Sequence, residues 1–265
     1  MTKYEFAQEI AQATNSKVKE MEKANGVKLT GIEIPTGSTN AAAVVYIDSM
    51  YEAGLTVDEA TEKINAIKER EASHQINIDL VNDFEKVKPL LRARLYNQAT
   101  TADVFRSAAE YGFNDLIIIA YIEDVIKTPT GTGSIKVTSG LVESWNTTPD
   151  EVLRIAEENS RKDATIKTIM EVMQELGHVE IMEDIPLSIV SNSKQSFGAY
   201  SIIALMDELK KRYKNGFTVL PSSVHEVIIT EIDESEKLDT MVNEVNEETV
   251  NPEEQLSNHA YRIAA

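Results

Sequence analysis

Strand-sized apolar segments follow one another across short turns in this chain, and they do not alternate one for one with helices. Residues 27–34 and 41–47 are two such segments, with a Pro-Thr-Gly-Ser turn at residues 35–38 between them. Residues 217–220 and 226–230 are two more, separated by a Pro-Ser-Ser corner. Strands that are joined by short turns pair in antiparallel fashion. This order therefore predicts an α+β fold of mainly antiparallel strand pairs packed with helices.

Helices are predicted between these strands from the 3–4 spacing of apolar residues. One covers residues 56–71, where Thr56 and Glu59 form a capping box. The most apolar stretch, residues 116–122, predicts a buried strand because it is too short for a helix of the core. Further helices are predicted over residues 4–24, 149–159, 165–176 and 198–209, and an acidic helix over 234–246.

The length of the chain suits one large domain or two small ones. We expect two α+β lobes, formed by residues 1–127 and by residues 128–265. The second lobe would carry the acidic helix and a C-terminal docking segment. No stretch rich in proline, serine or glycine separates the lobes, so a packed interface between them is expected.

The composition excludes several kinds of site. The 265 residues contain no cysteine, which rules out disulfides, thiolate zinc sites and a cysteine nucleophile. The N-terminus lacks the apolar core of a signal peptide. No run approaches the ~18 apolar residues that a membrane span needs. These features predict a cytoplasmic protein that does not enter a membrane.

Negative charge is concentrated near the C-terminus. The net charge of the chain is −18, and residues 231–254 hold ten acidic residues against the single lysine Lys237, which leaves −9. Binding to nucleic-acid phosphates needs a basic face, so it is not expected here. A protein partner or a small ligand stays open, as does the oligomeric state. Glu244, Glu247 and Glu248 are candidate contacts to a partner; the alternative is a helix whose charge only keeps the protein soluble.

One short segment contains the residue types of an acyl-transfer site, namely Ser222, Ser223, His225 and Glu226. They make a hydrolase one hypothesis, although the Gly-x-Ser-x-Gly elbow of many such enzymes is missing. The alternative is a structural corner, in which the polar side chains bond to the backbone. His225 and Glu226 also begin like a zinc-protease motif, but Ile229 stands where the second histidine is required, so no metal site is predicted.

Other candidates for ligand contacts are scattered. Lys194 lies in a loop before a predicted helix, where backbone amides can hold an anion. His259 and Tyr261 belong to residues 257–262, a predicted clamp for the C-terminus with Tyr261 as its anchor. Residues 131–133 read Gly-Thr-Gly, but they precede a strand and lack the Gly-Lys-Ser/Thr ending of a nucleotide phosphate loop. No cofactor is therefore predicted.

Three segments carry a resemblance to a known family. Residues 220–228 read Leu-Pro-Ser-Ser-Val-His-Glu-Val-Ile, residues 241–246 read Met-Val-Asn-Glu-Val-Asn, and residues 252–261 begin Pro-Glu-Glu-Gln-Leu-Ser. Together they resemble the uncharacterised domain-of-unknown-function family 5688, which is frequent in gut Firmicutes and their mobile elements. Asn258 stands where that family usually has aspartate. The resemblance implies a known structural unit of bacterial or phage origin, and it implies no reaction.

Two hypotheses on function follow. The first is an interaction or ligand-binding protein, and its more specific form is a protein of a mobile element with an anti-defence role. That role would consist in blocking a basic nucleic-acid-binding surface or in sequestering a small signal. The second is a hydrolase centred on Ser222, Ser223, His225 and Glu226. They differ in geometry, because an enzyme needs these groups to converge in a pocket, whereas a corner needs them bonded to the backbone.

Overall fold

A computed structural model describes residues 1–35, 42–71, 78–128, 131–175, 177 and 186–265. The predicted turn at residues 35–38 falls largely outside these ranges. Residues 131–133 were predicted to precede a strand, but they already belong to it, because they pair with residues 126–128. The strands are β1 (Lys17–Glu22), β2 (Lys28–Pro35), β3 (Ala42–Tyr46), β4 (Leu91–Asn97), β5 (Phe105–Ser107), β6 (Leu116–Thr128), β7 (Gly131–Lys136), β8 (Ala164–Thr168), β9 (Leu187–Asn192), β10 (Phe217–Leu220), β11 (Val227–Thr230) and β12 (Tyr261–Ile263).

Helices pack against these strands, and their ends follow the capping residues of the sequence. Thr56 and Glu59 bond reciprocally at the start of α3, and Thr148 caps α7. The helices are α1 (Lys3–Ala13), α2 (Asp48–Glu52), α3 (Val57–Glu71), α4 (Ile78–Val81), α5 (Phe84–Val87), α6 (Ser139–Ser144), α7 (Pro149–Asp163), α8 (Ile169–Glu175), α9 (Ser201–Ala204), α10 (Met206–Arg212) and α11 (Ser235–Glu248).

The strands of the described residues form three antiparallel sheets. Their orders are β1-β2-β3, then β4-β6-β5 with β7 added along β6, and β12-β10-β11-β9-β8. Every pairing is antiparallel. The predicted α+β class with mainly antiparallel strand pairs is confirmed.

Two segments that were predicted as helix are strands. Residues 17–22 form β1, because Asn15 takes a left-handed backbone with φ of 50° just after α1 and the chain then pairs with β2. Residues 164–168 form β8. The β-branched residues Thr165, Ile166 and Thr168 favour a strand there, and Thr168 starts α8 through a capping box with Glu171.

Buried apolar side chains form two main clusters. The smaller one gathers residues between Phe6 and Ile64 around α1, α3 and β2. The larger one gathers residues between Val81 and Ile263 and includes the predicted buried strand, whose Ile118 and Ile119 are fully buried. The predicted division between residues 127 and 128 falls inside β6, one residue before its end, and it stays a prediction.

A few polar contacts join β1 and the turn after it to the rest of the molecule. The amide of Asn25 donates to Thr100, and its side-chain amide donates to the carbonyls of Pro252 and Gln255. The Thr101 hydroxyl donates to Glu22 over 2.8 Å. These contacts bring three distant segments to the open face of the β4-β6 sheet, where a cavity lies.

Candidate ligand-binding site

A cavity of about 550 Å³ lies on the open face of the β4-β6 sheet. Its walls come from β4, β6 and β7, from residues 22–24, from the loop at Phe197 and from the short helix Pro252–Glu254. Arg94 lines the wall formed by β4, so we call this space the Arg94 cavity.

The sheet presents Arg94 to the cavity together with two tyrosines. In β4, Arg94 and Tyr96 are two residues apart, and the pairing of Arg92 with Tyr121 puts the Tyr121 side chain on the same face. The rings of Tyr96 and Tyr121 stack with centroids 5.9 Å apart. Burial raises the pKa of the Tyr121 hydroxyl, and the neighbouring Tyr96 raises it further, so Tyr121 stays protonated at neutral pH.

Arg94 is held between two aromatic rings. The centre of its guanidinium lies 4.2 Å from the Tyr121 ring centroid and 3.8 Å from that of Phe197. Only 5% of the residue is exposed to solvent. Cation–π contacts of this kind are worth more when they are desolvated, so the two rings compensate part of the cost of burying the charge.

The hydrogen bonding of Arg94 is incomplete. Its Nη2 donates to the Ser134 hydroxyl over 2.9 Å and to the Glu123 carboxylate over 3.4 Å. Its buried Nε has no hydrogen-bond partner among the described residues. An unpaired buried donor costs about 1–3 kcal/mol and more in a charged group, so the site carries a free donor that the fold itself does not use.

Two lysines line the same cavity. The Lys23 ammonium lies 4.3 Å from the Tyr46 ring centroid, and the Lys136 ammonium donates to the Thr101 carbonyl over 2.7 Å. Neither lysine has a carboxylate partner within the part of the chain that the structure describes. The cavity therefore contains positive charge that is not cancelled by a direct ion pair.

Phe197 is fixed by the segment that sequence analysis singled out. The Phe197 amide donates to His225 Nδ1 over 3.1 Å, and the two rings lie 4.8 Å apart. Phe197 has a positive φ of 50°, a conformation that costs energy for a residue with a side chain. The contact with His225 helps to hold this backbone, and with it the ring that covers Arg94.

Gly198, next to Phe197, is required by the close approach of two chains. A Cβ atom at this position would lie 2.4 Å from the Asn192 amide nitrogen and 2.9 Å from the His225 carbonyl. The Gly198 amide instead donates to that carbonyl over 2.9 Å. The absence of a side chain thus allows the loop to pack directly on residues 221–226, which we call the corner segment.

His225 lies in the corner segment, and its ring bonds to Phe197 and to Glu254. Because Nδ1 accepts from the Phe197 amide, the ring hydrogen sits on Nε2, which faces the Glu254 carboxylate at 3.3 Å. The Ser223 hydroxyl accepts from the His225 amide, over 3.1 Å, and not from the ring. Both ring nitrogens are therefore engaged, and neither contacts a serine hydroxyl.

The four residues of the hydrolase hypothesis face different surroundings. Ser222 lines a small apolar groove beside Val242, on α11. Glu226 lines a separate cavity of about 260 Å³ beside Lys167. Ser223 and His225 lie near each other through the backbone contact described above. The structure does not bring the four groups together in one pocket.

Lys194 lies beside the Arg94 cavity but is engaged by carboxylates. Its ammonium is 2.9 Å from Asp124 and 3.3 Å from Glu123. The hydrogen bond to Asp124 raises the pKa of Lys194. The helix that follows, α9, has four residues and offers no N-terminal anion site, so Lys194 acts mainly as a partner for the carboxylates behind Arg94.

His259 and Tyr261 cluster around Asp115. The Tyr261 hydroxyl donates to Asp115 over 2.6 Å, and the Ser257 hydroxyl donates to the other oxygen of the same carboxylate over 3.0 Å. His259 Nδ1 lies 3.0 Å from the Ser257 hydroxyl. Burial raises the pKa of Tyr261, and the bond to Asp115 acts in the same direction. These contacts fasten β12 to the core.

Glu244, Glu247 and Glu248 lie on the exposed side of α11 and do not line the Arg94 cavity. The cavity is defined by Arg94, Tyr121 and Phe197, which were not predicted from the sequence. One signal was present, since Leu91-Arg92-Ala93-Arg94-Leu95 places arginines inside a strand that is otherwise apolar. Among the described residues, no group of three His, Asp or Glu side chains is arranged to hold a metal ion.

Fold and site together define an α+β protein of antiparallel sheets with a cavity anchored by a buried arginine. A family model described as a family of unknown function, DUF5688, matches residues 2–263, so the chain belongs to this family, as its sequence predicted. No curated protein and no solved structure matches the chain. Within the described ranges, none of the helices has the length and apolar character needed to cross a membrane.

Proposed function

We propose that this protein binds a small molecule in the Arg94 cavity. The observation that carries the proposal is a charged side chain, 5% exposed, that lines a cavity of about 550 Å³ and keeps an unpaired donor. Sites for small ligands in proteins typically measure ~300–1,000 Å³ and combine aromatic walls with a few polar groups. The cavity fits this description in volume and in composition.

The test is a thermal-shift screen against a small-molecule library that includes neutral, acidic and basic compounds. A ligand at about 100 times its Kd stabilises the folded state by ~2.7 kcal/mol. For a domain of this size each kcal/mol raises Tm by about 2–4 °C, so a true ligand gives a shift of several degrees.

Two tryptophan variants localise the binding. Thr101 lines the cavity from an exposed position, and Thr240 is exposed on α11, away from it. Thr101→Trp is expected to obstruct the cavity and remove the thermal shift, whereas Thr240→Trp is expected to preserve it. A library without a single ligand whose effect depends on Thr101 would overturn the proposal.

The remaining parts of the first hypothesis are proposals of the same kind. A cytoplasmic location is supported by the absence of cysteine, and a bacterial or mobile-element origin by the sequence resemblance. An anti-defence role would consist in sequestering a small signal in the Arg94 cavity. A cell-based assay of that role compares the wild type with Thr101→Trp, and equal protection by both proteins would contradict it.

A protein partner is a second candidate, supported by one observation on α11. Met241 is 49% exposed and Val245 is 39% exposed, beside the acidic side chains of Glu244 and Glu248. An exposed apolar pair flanked by charge suits a contact to a partner with a basic rim. Capture of a partner by the wild type that is lost on Met241→Ser supports this candidate.

A further inference from the structure

We propose that the ligand of the Arg94 cavity carries an oxyanion, either a carboxylate or a phosphate, which the guanidinium of Arg94 receives. This inference rests on the proposed function, because it specifies the chemistry of the ligand that the cavity holds.

The Nε donor of Arg94 is not paired within the described part of the protein. All hydrogen bonds from this guanidinium to described residues run through Nη2, and the Nε hydrogen has no acceptor. A guanidinium has five N–H donors in a planar fork, which matches the oxygens of a carboxylate or a phosphate. Arg94 lines the cavity, so an oxyanion bound there would supply an acceptor to this guanidinium.

The carboxylate nearest to Arg94 is shared with a second cation. Glu123 lies 3.4 Å from Arg94 Nη2 and 3.3 Å from the Lys194 ammonium. It is largely buried, with 14% of its side chain exposed. Asp124 lies 2.9 Å from the same ammonium, so two carboxylates face two cations, and Glu123 contacts Arg94 only through Nη2. An anion at another donor of Arg94 would interact strongly in this region of low dielectric.

Of the carboxylates that line the cavity, two are already engaged by the protein. Glu22 accepts from the Thr101 hydroxyl, and Glu254 contacts His225 and accepts from Asn251. Glu253 also lines the cavity, so its repulsion acts against the oxyanion. Lys23 and Lys136 face the same space and offset that repulsion.

The position of the guanidinium is fixed before a ligand arrives. The rings of Tyr121 and Phe197, at 4.2 and 3.8 Å, limit its movement, and the contact between Phe197 and His225 fixes one of these rings. A preorganised cation binds an anion without first losing the freedom of a long side chain. The geometry thus suits recognition of one oxyanion at a defined point in the cavity.

The experiment uses four probes that share a benzene ring and differ in the polar group: benzoate, phenyl phosphate, benzyl alcohol and benzylamine. Binding of each to the full-length protein is measured by saturation-transfer NMR titration at millimolar concentration. We expect at least one of the two anions to bind more tightly than the alcohol and the amine. The comparison of benzoate with phenyl phosphate separates a carboxylate ligand from a phosphate ligand.

Two arginine variants test the residue itself. Arg94→Met is expected to weaken binding of the preferred anion by about tenfold or more, which corresponds to the loss of one charge-assisted contact of ~1.4 kcal/mol or more. Arg154 is an exposed arginine on α7 that pairs with Glu151 and Glu158, and Arg154→Met removes the same charge without touching the cavity. Its anion binding should equal that of the wild type.

A third variant tests the role of Arg94 in case Arg94→Met does not fold. Arg94→Lys keeps a positive charge but loses the planar fork, so we expect a folded protein with intermediate affinity for the anion. Circular dichroism of each variant checks the fold.

Three results would overturn the inference: preference for benzyl alcohol or benzylamine, anion binding that is equal in wild type and in folded Arg94→Met and Arg94→Lys, or no binding by either anion. The proposed function is judged separately, by the library screen and Thr101→Trp. A neutral ligand found there would preserve the binding function and reject the oxyanion.

Discussion

The corner segment and the Arg94 cavity lie side by side, and their polar groups differ in how completely they are hydrogen-bonded. In the corner segment, the amides of Ser222, Ser223 and His225 all donate to acceptors within the protein. In the cavity, Arg94 is more deeply buried than His225 and still keeps an unpaired Nε. The difference separates a bonded polar network from a charged group whose bonding is incomplete, and the proposed ligand would contact the latter.

The two regions are nevertheless coupled through one residue. His225 accepts from the Phe197 amide, and the Phe197 ring covers the guanidinium of Arg94. A fully bonded network rigidifies its surroundings, whereas an incompletely bonded one costs stability and persists where function requires it. The corner segment therefore serves as the support of the cavity, and the histidine has a structural part in the site.

The largest expected effect on stability is that of His225→Ala. The change leaves the Phe197 amide without an acceptor and removes the contact of His225 with Glu254, so we expect the free energy of unfolding to fall by ~1–3 kcal/mol. Urea denaturation followed by circular dichroism measures this loss. It would show that the network of the corner segment carries stability.

The matched control is His225→Asn, whose Oδ1 can accept from the Phe197 amide in place of Nδ1. We expect this variant to recover about half of the lost stability or more. If both variants were as stable as the wild type and a hydrolytic activity were lost in both, the structural role of the corner segment would be contradicted and the hydrolase hypothesis would be favoured.

A smaller effect is expected from Arg94→Met, although Arg94 is the more buried residue. The change loses the contacts to Ser134, to Glu123 and to two rings, but it also removes a buried charge with an unpaired donor. Removing one partner of a buried ion pair is destabilising when the other charge is left uncompensated, but Glu123 keeps Lys194 as a partner. We expect the free energy of unfolding to stay within ~1 kcal/mol of the wild type.

Chemical denaturation of both variants under one buffer condition compares them directly. The comparison between the two regions would fail if Arg94→Met lost clearly more stability than His225→Ala. Such a result would mean that Arg94 is a structural residue, and that its free donor has no function.

Much of the fold could be predicted from the sequence, because local patterns determine most of it. The apolar run at residues 116–122 and the capping box at Thr56 identified their elements correctly. The two errors have one cause. The apolar residues within 17–22 and 164–168 have a spacing that also fits a helix, and these segments form strands because they pair with β2 and β9. Such pairing partners lie outside the local window.

The Arg94 cavity could not be predicted in the same way. Its residues come from β4, β6, the loop at Phe197 and the helix Pro252–Glu254, which are far apart in the chain and meet only in the folded protein. The motif at Ser222–Glu226 attracted attention because its residue types resemble a catalytic set. Arginine in a strand is an ordinary residue until its burial and its missing partner are known.

The smallest effect on stability is expected on α11, far from both regions. Glu244, Glu247 and Glu248 are exposed, and exposed charges contribute little to stability, so replacing all three by glutamine should change the free energy of unfolding by about 0.5 kcal/mol or less.

If α11 contacts a basic partner, the same variant should bind it more weakly at low salt. The difference from the wild type should shrink at high salt, because exposed charges are screened over ~8 Å at physiological ionic strength. A pulldown from the native host at both salt concentrations measures this, with Glu62→Gln on α3 as an exposed control. Equal binding of the triple variant and the wild type at both concentrations would leave α11 with no part in partner binding, and the negative charge there would then serve solubility.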